Sequence, residues 1–275
     1  MGSITIEELD ALNSAILARH DIDFTQYEPK SFSRRVSRAM NYFGYETLLD
    51  MWTRLLTDRD FLFDFIDQIT VGMTSMFRDP QMWKFLRTDI LLQLKQKNSP
   101  IDIWHAGCST GEETYSLGIV LQDLKIQDRV NAIATDLNRD SIEKAESGIY
   151  DNLTLRQNEA QFSEYSVFKK YARYYKPHSE KKFKYNDDLN THCSYKVSNM
   201  ISDPAPGKFD VIFCRNVLIY FDTGLKKKML QKFYDALKPG GFLIIGYFDA
   251  LLPVIDKDQW DYYNLSAKTF QKKEL

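Results

Sequence analysis

Gly107 and Gly111 bracket Cys-Ser-Thr, and Glu112 and Glu113 follow directly. The apolar run Ile101-Asp102-Ile103-Trp104 precedes them, and an apolar-periodic stretch, Leu117 to Leu124, comes after. That order spells strand, small-residue turn and helix. Glycines let a backbone approach a ligand closely, and the first turn of a helix offers unpaired N–H groups. The two glutamates suit the positive end of the helix dipole but would repel a pyrophosphate. The expected ligand is therefore nucleoside-like or cationic rather than a di- or triphosphate. About 25 residues past Gly111, Asp136 ends the run Val-Asn-Ala-Ile-Ala-Thr, a place from which a carboxylate accepts both hydroxyls of a ribose. Asp136 alone would serve equally as a helix cap, but Asn138 or Asp140 can fill that role, which favours ribose.

Other chemistries lack their parts. The turn has no third glycine for the G-x-G-x-x-G of a dinucleotide site and no P-loop lysine. The histidines at 20, 105, 178 and 192 are scattered without metal spacing, so no metal is expected. His105 is expected to line the cleft from a strand end. Cys108, Cys193 and Cys214 are odd in number and far apart, which suits reduced thiols in a cytoplasmic protein. Arg215 and Asn216 end another apolar run, Phe209 to Cys214. Polar residues at the C-terminal ends of parallel strands share one edge, so Asp136, Arg215, Asn216 and the 105–113 loop should converge. Arg78 stands just before Asp79-Pro80, a cap and first-turn pair for a helix running to about Lys97.

The elements that must position these groups fall into two parts. Residues 4–66 are nearly free of glycine and helical in period. Phe32, Val36, Ala39, Met40 and Phe43 recur on one helix face, with Gly44 as its stop, and further helices are expected near 45–56 and 59–69. Lys30, Arg34 and Arg38 share another face, with Arg35 beside them. That face is either simply solvated or a basic ridge for an acidic partner. A boundary near 70 separates this all-α domain, 1–70, from an α/β domain, 71–275. Strands are expected at 101–107, 130–135, 209–214 and 242–247, with helices at 112–125, 138–147 and 223–237 between them. One or two more strands should lie between Trp260 and Gln271. The alternation breaks at 149–196, read as an inserted antiparallel subdomain whose hairpin pairs 183–189 with 193–198.

The formal net charge of −2 over 275 residues gives no bulk attraction to nucleic acid. The start of the chain lacks the basic flank and apolar core of a signal peptide, and no apolar run nears the roughly 20 residues of a membrane span.

Together, a ribose-binding acid, a glycine turn with carboxylates and a late Pro-Gly-Gly before a strand resemble a class I S-adenosylmethionine (SAM)-dependent methyltransferase. The resemblance narrows further. Met73-Thr-Ser-Met-Phe-Arg-Asp79, Trp104-His-Ala-Gly-Cys-Ser-Thr-Gly-Glu-Glu113, Ala134-Thr-Asp136, Ser147-Gly-Ile-Tyr150, Phe213-Cys-Arg-Asn-Val-Leu-Ile-Tyr-Phe-Asp222 and Leu237-Lys-Pro-Gly-Gly241 resemble the chemotaxis receptor methyltransferases, the CheR family. The family resemblance implies an N-terminal all-α domain, then a Rossmann-like SAM-binding α/β domain with a small inserted antiparallel β-subdomain. It implies transfer of a methyl group from SAM to glutamate side chains on chemoreceptor helices, giving the methyl ester and S-adenosylhomocysteine (SAH). By motif, Thr74, Arg78, Gly107, Glu113, Asp136, Asn199, Met200, Arg215 and Asn216 would line the cofactor site. Arg215 and Tyr220 would face the methyl group and the incoming glutamate, and Lys30, Arg34, Arg35 and Arg38 would meet the receptor. The chain departs from the family pattern at Gly72, at Met76, at Thr114 after the paired glutamates, and at Gly246-Tyr247-Phe248-Asp249, where Gly-His-Ser-Glu is usual. Two other functions stay open: the same fold acting on another acceptor, or a non-catalytic SAM- or SAH-binding module.

Overall fold

A computed structural model describes residues 4–20, 22, 24–25, 27, 29–70, 74–97, 99–166, 168–221, 223–247, 249 and 255–273. Gly72, Met73, Asp222 and Phe248, which carry parts of the motifs quoted above, lie outside the described residues. The chain divides into two units, Met1–Gly72 with Val217–Met229, and Met73–Asn216 with Leu230–Leu275.

The first unit holds α1 (Ile6–His20), α2 (Pro29–Phe43), α3 (Leu48–Thr57) and α4 (Arg59–Thr70). Thr5 and Glu8 cap α1 reciprocally: the Thr5 N–H donates to Glu8 at 2.8 Å and the Glu8 N–H to the Thr5 hydroxyl at 3.2 Å. The period expected of α2 is realised, for Phe32, Val36, Ala39 and Met40 are all buried. Each large side chain so buried stabilises the unit by roughly 1.5–3 kcal/mol relative to exposure. Gly44, at φ 76°, ends the helix, and the Tyr45 N–H reaches back to the Met40 carbonyl at 2.9 Å.

The second unit opens with α5 (Pro80–Phe85), which continues through a π turn at Leu86–Ile90 into α6 (Leu91–Gln96). Then come β1 (Ile101–Ala106), α7 (Glu112–Leu124), β2 (Val130–Asp136), α8 (Arg139–Ser147), β3 (Ile149–Asp151) and α9 (Leu155–Tyr165). Strands β4 (Tyr175–Pro177), β5 (Lys182–Tyr185), β6 (Cys193–Val197) and β7 (Phe209–Cys214) follow. Helix α10 (Thr223–Ala236), whose residues up to Met229 belong to the first unit, β8 (Leu237–Ile245), β9 (Trp260–Asn264) and β10 (Thr269–Lys272) complete the chain. Seven strands form one sheet in the order β6-β2-β1-β7-β8-β10-β9, with β10 antiparallel to both β8 and β9 and the other pairings parallel. The small sheet is β3-β5-β4, antiparallel throughout.

Two expectations need correction. Residues 183–189 and 193–198 do not form a hairpin. Asp187–Leu189 is a 3-10 turn, and β6 joins the large sheet parallel to β2, with Tyr195 opposite Ala134. Packing explains the choice. Leu189 is fully buried, and its carbonyl sits where a Cβ on Gly118 of α7 would lie, 1.9 Å away. Cys193 and Tyr195 pack on the buried cluster of Cys108, Ala134 and Ile142. The alternating pattern therefore belonged to a sheet edge beside α8. Strand β8 also starts earlier than 242. It takes in Lys238-Pro239-Gly240-Gly241, and its register against β7 shifts between Phe209 and Val211 to absorb them, with Gly240 at φ 70°.

Candidate functional site

The loop after β1 is tied to the end of β2. The N–H groups of Gly107 and Cys108 donate to the Thr135 carbonyl at 2.8 and 3.0 Å. Ser109 N–H donates to Asp136 Oδ2 at 2.7 Å, and Asn138 N–H to Oδ1 at 3.0 Å. Asn138 caps α8, its side-chain oxygen accepting from the Ser141 N–H at 2.8 Å, so Asp136 is not consumed as that cap. Burial raises the Asp136 carboxyl above its ordinary range, against the pull of those N–H donors. The turn is close-packed as well as open-backed: a Cβ on Gly111, at φ 87°, would stand 2.6 Å from the Ala145 Cβ.

A charged network joins the ends of β1 and β7 to the starts of α5 and α7. Arg215 Nη1 donates to Glu113 Oε2 at 3.0 Å. Its Nη2 donates to Asp79 Oδ2 and to the Arg78 carbonyl, both at 2.8 Å. His105 Nδ1 meets Glu113 Oε1 at 2.7 Å, and its ring stacks on Phe213 with centroids 4.7 Å apart. Burial alone would raise the Glu113 carboxyl, but His105 and Arg215 outweigh it and hold it below its ordinary value. Glu112 behaves oppositely: it is buried, its carboxylate is met by the Thr110 hydroxyl at 2.7 Å, and burial pushes it up.

These contacts revise two sequence expectations. His105 is wholly buried rather than lining an open cleft, and it works on Glu113. Asp79 makes no side-chain cap to α5; in the left-handed region at φ 58°, it turns its carboxylate to Arg215 instead.

A third knot lies just past β7 and β8. Asp249 Oδ2 accepts from the backbone N–H of both Asn216 and Gly246 at 2.7 Å, and Asp249 is buried. A Cβ on Gly246 would stand 2.6 Å from the Asn216 nitrogen, so the two chain segments touch. Phe77, Asp79, Ser109 and Asn216 are four of the six described non-glycine residues at positive φ. All four sit in these loops, where backbone strain of about 1–3 kcal/mol each is sustained by the surrounding bonds.

Of the residues singled out by sequence, Arg78, Gly107, Glu113, Asp136, Arg215 and Asn216 are thus drawn together by the 105–113 loop and the ends of β2, β7 and β8. Asn199 follows β6, and the Ser198 N–H donates to the Asp136 carbonyl at 2.9 Å, so this segment shares the edge. The Asn199 side chain accepts from the Ile201 N–H at 3.0 Å, and the Met200 carbonyl accepts from Lys232 at 2.7 Å. Thr74 is half-buried. Tyr220 belongs to the first unit, as do Lys30, Arg34, Arg35 and Arg38. Lys30, Arg34 and Arg38 are exposed, whereas Arg35 is half-buried and lies over the Tyr220 ring, 3.9 Å from its centroid. Sequence reasoning missed Asp79 and Asp249 as parts of the site, and gave His105 a lining role rather than its pairing with Glu113. Only Asp249 had left a signal, as a departure from the family's glutamate.

The donors and acceptors on this sheet edge match the chemistry of SAM, which combines ribose hydroxyls, an ammonium, a carboxylate and a sulfonium. Asp136 offers carboxylate oxygens at the end of β2. Glu113 places negative charge at the head of α7, where a phosphate would be repelled. Among the described residues no helix is long and apolar enough to cross a membrane, and no cluster of His, Cys, Asp and Glu has the makings of a metal site.

Comparison with known proteins agrees. Residues 72–264 match the family model "CheR methyltransferase, SAM binding domain", and residues 7–70 match "CheR methyltransferase, all-alpha domain". The Cher3 protein of Pseudomonas putida is 30% identical over 239 residues, covering 87% of each chain. Chemotaxis protein methyltransferase 1 of Vibrio cholerae is 30% identical, over 86% of this chain and 85% of its own. The chemotaxis protein methyltransferase of Borreliella burgdorferi is 29% identical over 90% of both. An all-α N-terminal domain, a class I methyltransferase sheet and a small antiparallel sheet, carrying these motifs, place the chain in the CheR methyltransferase family.

Proposed function

We propose that this chain transfers the methyl group of SAM to glutamate side chains on the cytoplasmic helices of a chemoreceptor or receptor-like signalling protein, leaving a methyl ester and SAH. Bound SAM would supply an electrophilic methyl carbon on a sulfonium. Asp136 would take the ribose, Glu113 and Arg78 the methionine end, and Thr74, Gly107, Asn199, Met200, Arg215 and Asn216 the remaining walls. A glutamate carboxylate, with an unperturbed pKa of about 4.3, is already the nucleophile at neutral pH. No general base is called for. The observation that carries the reading is the charge balance at Arg215. Its guanidinium is met by Glu113 and Asp79, at 3.0 and 2.8 Å. A guanidinium already met by two carboxylates is held in place and keeps little net attraction to quench an incoming one, so its part is positional. The remaining work is in-line alignment of oxygen, methyl carbon and sulfur in a site from which water is excluded. Tyr220 would share the orienting of the acceptor, and the exposed Lys30, Arg34 and Arg38 would meet acidic receptor surface.

Labelled SAM incubated with receptor cytoplasmic fragments should give a base-labile product that releases volatile methanol in alkali. No transfer to any receptor, or a label stable to alkali, would sink the proposal. Charge reversal at Arg34 and Arg38 should weaken receptor methylation while leaving SAH affinity unchanged.

One observation favours a second reading, transfer to a different acceptor. Tyr247, 59% exposed, stands where the family has His. It borders a cavity of about 260 Å³ lined also by Asp79, Met82, Ile245 and Lys268. A stable methylated product on a non-receptor substrate would select this reading.

A further inference from the structure

The basic face of α2 is not uniform. Arg34 and Arg38 are exposed, but Arg35 turns inward. Its guanidinium carbon lies 3.9 Å from the centroid of the Tyr220 ring, and its Nη1 donates to the carbonyl of Ile69 at the end of α4. The segment that carries Tyr220 is gripped a second time. Phe221 forms an isolated antiparallel bridge with Tyr27, and their rings meet edge-on at 5.5 Å. Tyr27 in turn packs on Phe24 and on Phe32 of α2, at 5.3 and 5.6 Å. Leu218 and Phe221 are buried, while Tyr220 between them is half-buried.

We infer that Arg35 is a positioning residue, not a receptor contact: stacked on the Tyr220 ring and anchored to Ile69, it fixes the rotamer in which Tyr220 meets the acceptor. The inference rests on the proposed role of Tyr220 in methyl transfer. A guanidinium over an aromatic face is held by the ring quadrupole, and its planar fork leaves an N–H free to bind a carbonyl at the same time. A lysine would keep the charge but not both contacts. The ring, not the hydroxyl, is what Arg35 holds, so Tyr220→Phe should preserve the stack and Tyr220→Leu should abolish it. The same helix therefore presents Arg34 and Arg38 outward and steadies Tyr220 inward.

The test is a double-mutant cycle read in two ways on the full chain. Urea unfolding of Arg35→Met, Tyr220→Leu and the double variant should show a coupling of about two- to fivefold in the unfolding constant. The cycle with Tyr220→Phe in place of Tyr220→Leu should leave Arg35→Met with its wild-type effect. With receptor fragment and labelled SAM, Arg35→Met should lower kcat about tenfold at saturating receptor. KM for receptor and affinity for SAH should stay within about twofold, and Arg35→Lys should recover part of the rate. In the Tyr220→Leu background Arg35→Met should cost no further rate. A raised KM at unchanged kcat would make Arg35 a docking residue and overturn the inference. So would rate losses that multiply in the double variant, or an unfolding coupling of one. If wild-type protein transferred no methyl group to receptor while the unfolding coupling persisted, the glutamate reading would fall and the Arg35–Tyr220 pairing would stand.

Discussion

Arg215 and Glu113 pair through Nη1 and Oε2 at 3.0 Å, joining the end of β7 to the first turn of α7 across 102 residues of chain. The Arg215 side chain is only 4% exposed and that of Glu113 14%. Neither charge has water to fall back on, so each depends on the other and on Asp79 and His105.

Removing one partner of such a pair should cost more than the pair contributes. Arg215→Ala leaves the buried Glu113 with only His105 beside it and turns Asp79 back to solvent, and about 3–5 kcal/mol of stability should go with it. Glu113→Gln should cost less, because the amide oxygen still accepts from Arg215. The pH dependence carries a sign. Glu113 is held below its ordinary value of 4.5, so the unfolded state binds the extra proton first. Its stabilisation is present above the unfolded value and is lost as pH falls through the folded one. Urea unfolding at pH 7 and pH 4 checks this: the acid-side loss should be smaller in Glu113→Gln than in wild type. An equal loss in both would remove Glu113 from the account.

Asp249 should prove as structural as any glycine of the site. One of its oxygens accepts two main-chain N–H bonds, from Asn216 and Gly246, and thereby holds Asn216 at φ 60°. Asp249→Ala leaves two donors without an acceptor, at about 1–3 kcal/mol each. Asp249→Asn keeps an oxygen but loses the charge assistance, and about 1 kcal/mol should suffice to describe it. SAH affinity should fall in the same order, since Asn216 is displaced. Calorimetric titration with SAH, beside thermal melts, decides. Wild-type affinity in Asp249→Ala would mean that the Asn216 backbone takes no part in the site.

The contrast between β6 and β7 shows where the sequence stops being informative. Strand β7 reads Phe-Asp-Val-Ile-Phe-Cys and is buried at five of its six positions, so an apolar run suffices to identify it. Strand β6 reads Cys-Ser-Tyr-Lys-Val and is mostly exposed. Its partner is decided by Leu189 seated against Gly118 and by Tyr195 meeting the Thr114 hydroxyl at 2.6 Å, contacts some 70 to 80 residues apart in the chain. The site divides in the same way. Asp136 and Arg215 are visible because they end apolar strands. Asp79 and His105 act through partners that only the fold supplies, and local rules assigned one to a cap and the other to a cleft wall. Arg35 and Arg34 are neighbours on one basic face, yet the fold gives them opposite directions that a charge count does not distinguish.

His192 should make the protein acid-sensitive in a predictable window. It is 7% exposed, and both ring nitrogens lack a hydrogen-bond partner among the described residues. Burial, with a smaller repulsion from His105, pushes its pKa down from 6.5 to about 3. The folded state thus holds the imidazole neutral while the unfolded chain takes up a proton below 6.5, so the unfolded state binds more protons across that span. Stability from this residue is complete above the unfolded value and falls steadily as pH drops toward 3. At pH 5 the loss relative to pH 7 is about 2 kcal/mol from this group alone. His192→Phe removes the proton-binding group and keeps an aromatic ring in the packed space beside Gly118, whose added Cβ would lie 3.4 Å from the imidazole. Unfolding free energies measured from pH 7 to pH 4.5 should therefore decline less steeply in His192→Phe, by about 2 kcal/mol at pH 5. Parallel curves for the two proteins would show that the imidazole is protonated in the folded state and has an acceptor there.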